Sequence, residues 1–397
     1  MTEPASLLVT VAGRDRPGVT GAILDAVGRH GLSVLDVQQV VIRGRLILAV
    51  HLGCVADEEA VSRDLRKAAA DLGMELDILG NDVVAPPVRV PVTDRCQVTI
   101  LAARLSTPAL AGVAARVAEL GGNIERIDRI ASYPVTAVEL AVTGVEAGRL
   151  KAALGGQAVE AGLDVAVQPA GLLRRAKRLV VMDVDSTLVQ GEVIEMLAAR
   201  AGCADEVAAV TAAAMAGELE FAESLRRRVA LLAGLDVGVL DQVRREVKLA
   251  PGARTLVRTL KRLDHRVGVV SGGFTQITDG LVADLGLDYA AANELEVVDG
   301  RLTGRLVGPI IDRAGKAAAL ERFAAQAGVP LAQTVAVGDG ANDIDMLSRA
   351  GLGIAFNAKP VVRAAADVSV SQPYLDTVLF LLGISREEVE AAESSQP

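Results

Sequence analysis

Tryptophan is absent from this chain, and aromatic residues of every kind make up only 2% of its 397 positions. A chain so poor in rings offers no stacking platform for single-stranded nucleic acid. Basic excess is missing too: 41 Lys and Arg face 50 Asp and Glu, a net charge of −9. Release of counterions from a phosphate backbone therefore cannot drive association, and no nucleic-acid partner is expected. Histidine occurs only at His30, His51 and His265, and cysteine only at Cys54, Cys96 and Cys203, all widely scattered. That spacing points away from a histidine or cysteine metal cluster, a serine–histidine triad and a disulfide framework; the thiols read as reduced. No uncharged apolar run approaches the ~18 residues of a membrane span. The start, Met1-Thr2-Glu3-Pro4, lacks the basic stretch and apolar core of a signal peptide. A cytoplasmic protein with no membrane partner is the expectation.

What is plentiful is aliphatic: hydrophobic residues reach 51%, enough core material for two or three domains. The first 170 residues read as two copies of one unit. Strand-like runs at 7–11, 32–42, 46–52 and 74–79 alternate with helix-period stretches at 18–30 and 58–72, giving β-α-β-β-α-β order. The pattern restarts with a strand at 98–101, a helix at 108–120 and strands at 123–127 and 135–142. The Pro-rich segment Val84-Ala85-Pro86-Pro87-Val88 separates the copies. Such units form ferredoxin-like α+β sandwiches, each with one open sheet face that needs covering. Arg174-Arg175-Ala176-Lys177-Arg178 reads as a solvated linker.

Beyond Pro169 strands alternate with helices, the pattern of a Rossmann-like, doubly wound parallel α/β sheet. Short apolar runs at 180–182, 267–270, 335–337 and 353–356 suit its central strands. A largely helical insertion spans 192–248, and Asp299-Gly300 marks a hairpin turn. The expected domains are 1–84, 92–170 and 175–390.

Asp183-Val184-Asp185-Ser186-Thr187 directly follows the run Leu179-Val180-Val181-Met182. Ligands of open parallel sheets bind at the carboxyl ends of the strands. Asp183, Asp185, Ser271, Asp339 and Asp343 each follow an expected strand, so one sheet edge can gather all five. Several carboxylates in one crevice call for a cation, and oxygen-only ligation suits Mg²⁺. Lys316, opening a helix over 316–326, is the natural ammonium partner. Ser271-Gly272-Gly273 offers a hydroxyl and exposed amides for phosphate. Phosphate monoester hydrolysis demands acceleration of up to ~10²¹, whereas general acid–base help supplies ~10²–10⁴. Covalent catalysis by Asp183, with Asp185 as acid and then base, and charge stabilisation by metal and Lys316, is the implied remainder.

Over roughly 175–390 these motifs resemble the haloacid dehalogenase-like phosphatases, and within them the branch that acts on phosphoserine. The resemblance implies Asp183 as nucleophile, Asp185 as acid/base, and Mg²⁺ held by Asp183, Asp339 and the backbone carbonyl of Asp185, with Asp343 one layer behind. It implies that Asn342, Ser271, Gly272 and Lys316 meet the substrate. It also makes the insertion, about 190–250, a helical cap. There Glu192 and Arg228, the latter in Phe221-Ala222-Glu223-Ser224-Leu225-Arg226-Arg227-Arg228, hold the substrate's ammonium and carboxylate, with Met215 and Phe221 packing over it. Read alone, Glu192 is a first-turn helix acid and Arg228 a surface arginine. The N-terminal repeats resemble ACT domains, amino-acid-sensing modules that pair through their sheets. Asp15-Arg16-Pro17-Gly18-Val19 matches their ligand loop, whereas Arg104-Leu105-Ser106-Thr107-Pro108 lacks the Arg-Pro-Gly string. These resemblances imply a phosphoserine hydrolase of serine biosynthesis, serine-responsive, and a homodimer or larger. A sister phosphatase or phosphotransferase for phospho-threonine or phospho-homoserine, and an amino-acid-binding protein with a vestigial catalytic half, stay open.

Overall fold

The computed structural model describes residues 6–53, 55–80, 91–215 and 218–394. The chain divides into two compact units, 1–89 and 90–397. In the first, β1 (Ser6–Arg14), α1 (Val19–Gly28), β2 (Ser33–Ile42), β3 (Arg45–Gly53), α2 (Glu58–Asp71) and β4 (Glu75–Gly80) follow the expected order. The antiparallel sheet runs β2-β3-β1-β4. Alternation decides which face is buried: Leu7, Val9 and Val11 of β1 and Leu46, Leu48, Val50 and Leu52 of β3 pack on Val19, Ile23, Val27, Val61 and Leu65 of the helices. The edge strand β2 is exposed along its whole length. The segment 84–88 and Cys54 lie outside the described residues.

The second unit opens with β5 (Arg95–Ala102), α3 (Thr107–Glu119), β6 (Asn123–Ala131), β7 (Thr136–Thr143), α4 (Ala147–Glu160) and β8 (Asp164–Pro169), in sheet order β6-β7-β5-β8. A short helix α5 (Leu172–Arg175) leads to β9 (Leu179–Met182). The cap helices are α6 (Val193–Ala201), α7 (Ala204–Met215), α8 (Phe221–Ala230) and α9 (Gly238–Glu246). Then come α10 (Ala253–Arg262), β10 (Arg266–Phe274), α11 (Thr275–Leu285), β11 (Tyr289–Val298), β12 (Arg301–Val307), α12 (Arg313–Ala327), β13 (Thr334–Gly338), α13 (Ile344–Arg349), β14 (Gly353–Phe356), α14 (Pro360–Ala365), β15 (Val368–Val370), α15 (Thr377–Leu381) and α16 (Arg386–Ser394). The seven-stranded sheet has the order β12-β11-β10-β9-β13-β14-β15. All its pairs are parallel except β11–β12, so the fold is the doubly wound one expected. The hairpin, with Asp299 at φ 49° and Gly300 at φ 74°, is a two-residue turn of the twist strands prefer, and it extends the main sheet. No helix among the described residues is long and apolar enough to cross a membrane.

The linker reading of 174–178 is overturned. Arg174 is 6% exposed and donates from both terminal nitrogens to the Glu139 carboxylate on β7. Lys177, also 6% exposed, donates to the carbonyls of Ala332 and Gly351, each at 2.8 Å. The reason is that the second repeat's open sheet face is covered from within the same unit. Leu101, Ile130, Ala137 and Ala166 join one hydrophobic core with Val378, Leu379 and Leu382 of the C-terminal region. Polar stitches line the seam: Asp164 accepts from the Ser371 N–H (2.7 Å) and hydroxyl (2.8 Å), and Gln168 donates to the Leu381 carbonyl (3.0 Å).

Candidate active site

Register brings the site together. Met182 of β9 lies opposite Val269 of β10 and Val337 of β13, so Asp183 sits level with Val270 and Gly338. Ser271 and Asp339 then follow one position further along their own strands. β9 is wholly buried, which fixes the Asp183 backbone in depth. Residues after Asp183 form a tight turn closed by the Val189 N–H on the Val184 carbonyl at 2.9 Å, with Ser186 held at φ 56°. A non-glycine residue in that region stores strain that the surrounding structure must impose. Gly338 is required for space: a Cβ there would stand 2.4 Å from Asp343 Cγ.

Lys316 is fully buried, with Nζ 2.7 Å from Asp183 Oδ1 and 2.7 Å from Asp343 Oδ1. Burial opposes its charge, yet the two carboxylates outweigh that and hold it above the ordinary lysine range. Asp183 Oδ1 also accepts from the Val184 N–H at 2.8 Å, and Asp343 Oδ2 from the Gly340 N–H at 3.0 Å. Asp339 accepts from the Thr187 hydroxyl at 3.0 Å. Thr187 belongs to the first motif, but sequence reasoning gave it no task. Asp185 faces elsewhere. Its Oδ1 accepts from the Val193 N–H (2.8 Å) and its Oδ2 from the Ser271 hydroxyl (3.1 Å). Burial, reinforced by Asp343, raises Asp183 well above the usual carboxylate range; burial also raises Asp185 against the pull of those two donors. Burial and Asp343 push Asp339 up to about 6.

Oxygens of Asp183, Asp339 and Asp343 lie within 4.8 Å of one another, a spacing that fits one hard cation; the Asp185 carboxylate is not in this group. Oxygen-only donors gathered around a single buried ammonium suit such an ion, which would bind them in their ionised form. Asp343 has both oxygens occupied by Lys316 and Gly340, which leaves Asp183 and Asp339 the freer donors.

The cap closes over this edge. Its core of Val193, Ile194, Leu197, Leu225 and Val229 packs on Phe274 and Ile277 of the α/β body. Val189 and Leu249 bridge at the neck, where the Ala250 N–H donates to the Leu188 carbonyl and the Gln190 N–H to the Lys248 carbonyl. Between cap and body lies a cavity of about 80 Å³, lined by Asp183, Asp185, Asp339, Gly272, Gly273 and Asn342 below and by Glu192, Ile194, Phe221, Leu225 and Arg228 above. That volume holds several waters or a small metabolite. Glu192 occupies the position before α6 but caps nothing; it faces the cavity instead. Protein atoms crowd it and burial, with Asp185 and Asp339, pushes it up to about 7, although Glu192 as a whole residue is exposed, which blunts the effect. Arg228 is not a surface arginine: its Nε is buried without a hydrogen-bond partner. Phe221 reaches the Ser271–Gly273 turn, since a Cβ on Gly272 would lie 3.0 Å from its ring. Met215 ends α7, and its side chain lies outside the described residues. In the first unit Asp15 is exposed, and Gly18, at φ 91°, starts α1. Open space surrounds Gly18, so its backbone angle alone demands glycine.

Residues 180–348 match the haloacid dehalogenase-like hydrolase model, and 5–78 and 95–168 match ACT domain models. The chain is 58% identical over 393 residues to a phosphoserine phosphatase of Streptomyces coelicolor, covering 98% of this chain and 95% of that protein. The chain belongs to the phosphoserine phosphatase family of haloacid dehalogenase-like hydrolases. Phosphoserine phosphatase SerB2 of Mycobacterium tuberculosis is 56% identical over 399 residues, covering 99% of this chain and 97% of that protein. Among solved structures, a probable phosphoserine phosphatase from Vibrio cholerae in unliganded form superposes with a TM-score of 0.58 at 33% identity, over 76% of this chain and 89% of that one. In this family member the catalytic body and the second ACT domain are one compact unit, while the first ACT domain is the other.

Proposed function

We propose that the chain hydrolyses O-phospho-L-serine to L-serine and inorganic phosphate through a phosphoryl group carried on Asp183. The observation that carries this reading is the two-ended cavity. One end holds paired Asp183 and Asp185 with Lys316; the other holds Arg228 Nε, buried without a partner, beside Glu192. A guanidinium fork without a partner fits a substrate carboxylate, and Glu192 fits its ammonium. Asp183 Oδ1 is engaged by Lys316 and the Val184 N–H, so Oδ2 attacks phosphorus. The serine Oγ–P bond breaks as the Asp183 O–P bond forms. Asp185, whose hold on a proton burial strengthens, gives that proton to the departing Oγ. Asp185 then takes a proton from water, whose oxygen attacks phosphorus and frees Asp183. Asp183, Asp339 and the Asp185 backbone carbonyl, with Asp343 behind, would hold Mg²⁺, which would supply charge neutralisation. Ser271, Gly272, Asn342 and Lys316 bind the phosphoryl oxygens, and Phe221 and the cap exclude water.

The test is phosphate release from a panel of phospho-amino acids with and without Mg²⁺. Wild type should prefer phosphoserine. Arg228→Ala should lose about 2–3 kcal/mol of transition-state binding, roughly 30- to 150-fold in kcat/KM. For phosphoethanolamine, which has no carboxylate, the two should be equal. Equal losses on both substrates would contradict the Arg228 assignment.

The same reading keeps the chain in the cytoplasm with domain limits at 1–84, 92–170 and 175–390. It makes serine a ligand of the Asp15–Gly18 loop. Since Gly18→Ala is strained whatever binds, Asp15→Ala is the cleaner test by calorimetry. It also makes the protein a homodimer or larger; support comes from β2, whose Val34, Leu35, Val37 and Ile42 stand exposed on an edge strand.

A further inference from the structure

We propose that Asn293, which the chemistry above does not use, is a positioning residue: its side-chain amide sets the plane of the Gly272–Gly273 peptide and thereby aims the phosphate-binding turn and the Ser271 hydroxyl. This rests on the functional reading just given. Asn293 lies in β11, opposite Phe274 of β10, and is 2% exposed. Its Nδ2 donates to the Gly272 carbonyl at 2.9 Å, and its Oδ1 accepts from the Ile311 N–H at 2.7 Å. The second bond decides which end of the amide faces Gly272, because a flipped amide would set two donors against each other.

The peptide that presents the Gly272 carbonyl presents the Gly273 N–H on its other side. That N–H donates to Ser271 Oγ at 2.7 Å, and the Ser271 hydroxyl donates onward to Asp185 Oδ2 at 3.1 Å. Asn293 thus heads a single file of donors ending at the acid/base carboxylate. In a low-dielectric setting each member polarises the next. With its oxygen accepting from Gly273, Ser271 points its one hydrogen at Asp185 in the free site and gives it to a phosphoryl oxygen only when substrate binds. The turn falls where the pairing of β10 with β11 is irregular, between Val270 and Phe274. It consists of two glycines, and a Cβ at Gly273 would come within 2.9 Å of both Asp185 Oδ2 and Ser271 Oγ. Side chains that would lock the plane by packing are therefore excluded, and a hydrogen bond from outside does the work.

The other end of Asn293 matters equally. Ile311 precedes Asp312, whose Oδ1 accepts from the Gly315 N–H at 2.8 Å and starts α12, the helix that carries Lys316. One buried amide therefore ties the segment presenting Ser271, Gly272 and Gly273 to the segment presenting Lys316. The spacing of phosphate donors across the site is set through it.

Asn293→Asp keeps the size and the acceptor for Ile311 but turns the donor facing Gly272 into an acceptor. The full-length protein is assayed for kcat and KM on phosphoserine, inhibition by orthovanadate, half-activating Mg²⁺ and melting temperature. Expected is a fall of ~10- to ~100-fold in kcat with a parallel weakening of vanadate inhibition. Half-activating Mg²⁺ should stay within about twofold, since the cation ligands are elsewhere. Asn293→Ser, small enough to admit a water, serves if the Asp variant does not fold, and it should show the same pattern more mildly. A variant that melts lower while keeping wild-type kcat and vanadate inhibition makes Asn293 a structural staple and overturns the proposal. Wild type that releases no phosphate from phosphoserine overturns the functional reading, and this proposal with it.

Discussion

Lys316→Met removes the one ammonium buried among the site carboxylates, and the structure sets the size of the effect. At 2.7 Å from Nζ, each of Asp183 Oδ1 and Asp343 Oδ1 gains about 6 kcal/mol of gross attraction at an effective dielectric of ~20. Most of that offsets desolvation of three buried groups. What remains visible on deleting one partner is the cost of stranding the others, about 3–5 kcal/mol. Among the described residues Asp343 then keeps the Gly340 N–H and Asp183 the Val184 N–H as hydrogen-bond donors. The stranded Asp183 carboxyl, already raised, can escape by binding a proton, so it is held still higher in the variant. Groups raised in the folded state lend stability below their ordinary range and lose it as pH climbs. The deficit should therefore be small at pH 5 and full at pH 8. Denaturant melts in chelator at both pH values measure it. Adding Asp343→Asn to the Lys316 variant should restore about 1–3 kcal/mol, because one stranded charge disappears. A loss under about 1 kcal/mol at pH 8, or the same loss at both pH values, would refute the reasoning.

Other outcomes follow from the same geometry. Burial and the nearby Asp343 carboxylate raise Asp183, and raise Asp339 to about 6, so the metal-free protein should lose stability as pH rises from 5 to 8. Mg²⁺ requires those groups ionised, so its stabilisation in thermal melts should grow over that range, and a pH-independent Mg²⁺ effect would contradict it. Arg174→Ala strands the Glu139 carboxylate at the seam of the second ACT domain, costing about 3–5 kcal/mol. Limited proteolysis should then cut near 170–178 in the variant but not in wild type, and equal resistance would mean the pair does not hold the seam.

Much of this was legible because periodicity and strand-end acids carry their own reasons. The runs at 180–182, 267–270, 335–337 and 353–356 are central strands, and Asp183 and Asp339 follow theirs as expected, whereas Ser271 lies within β10, which runs on to Phe274. Other features needed three dimensions. The run 174–178 looks like a solvated basic linker until Glu139, brought in from the second ACT sheet, pairs with Arg174. Strand β15, three residues long, is too short to show a period. Asn293 has no motif around it; its meaning is the distance to Gly272 and Ile311, which only folding supplies. Arg228 is one of three consecutive arginines, and helical phase alone sends it, not Arg226 or Arg227, into the cavity.

The central claim is tested most directly by quenching turnover of ³²P-phosphoserine in acid and mapping the labelled peptide. The account predicts an alkali-labile, hydroxylamine-sensitive acyl phosphate on Asp183 that Asp183→Asn abolishes. Label on any other side chain, or rapid turnover by the Asn variant, would contradict it.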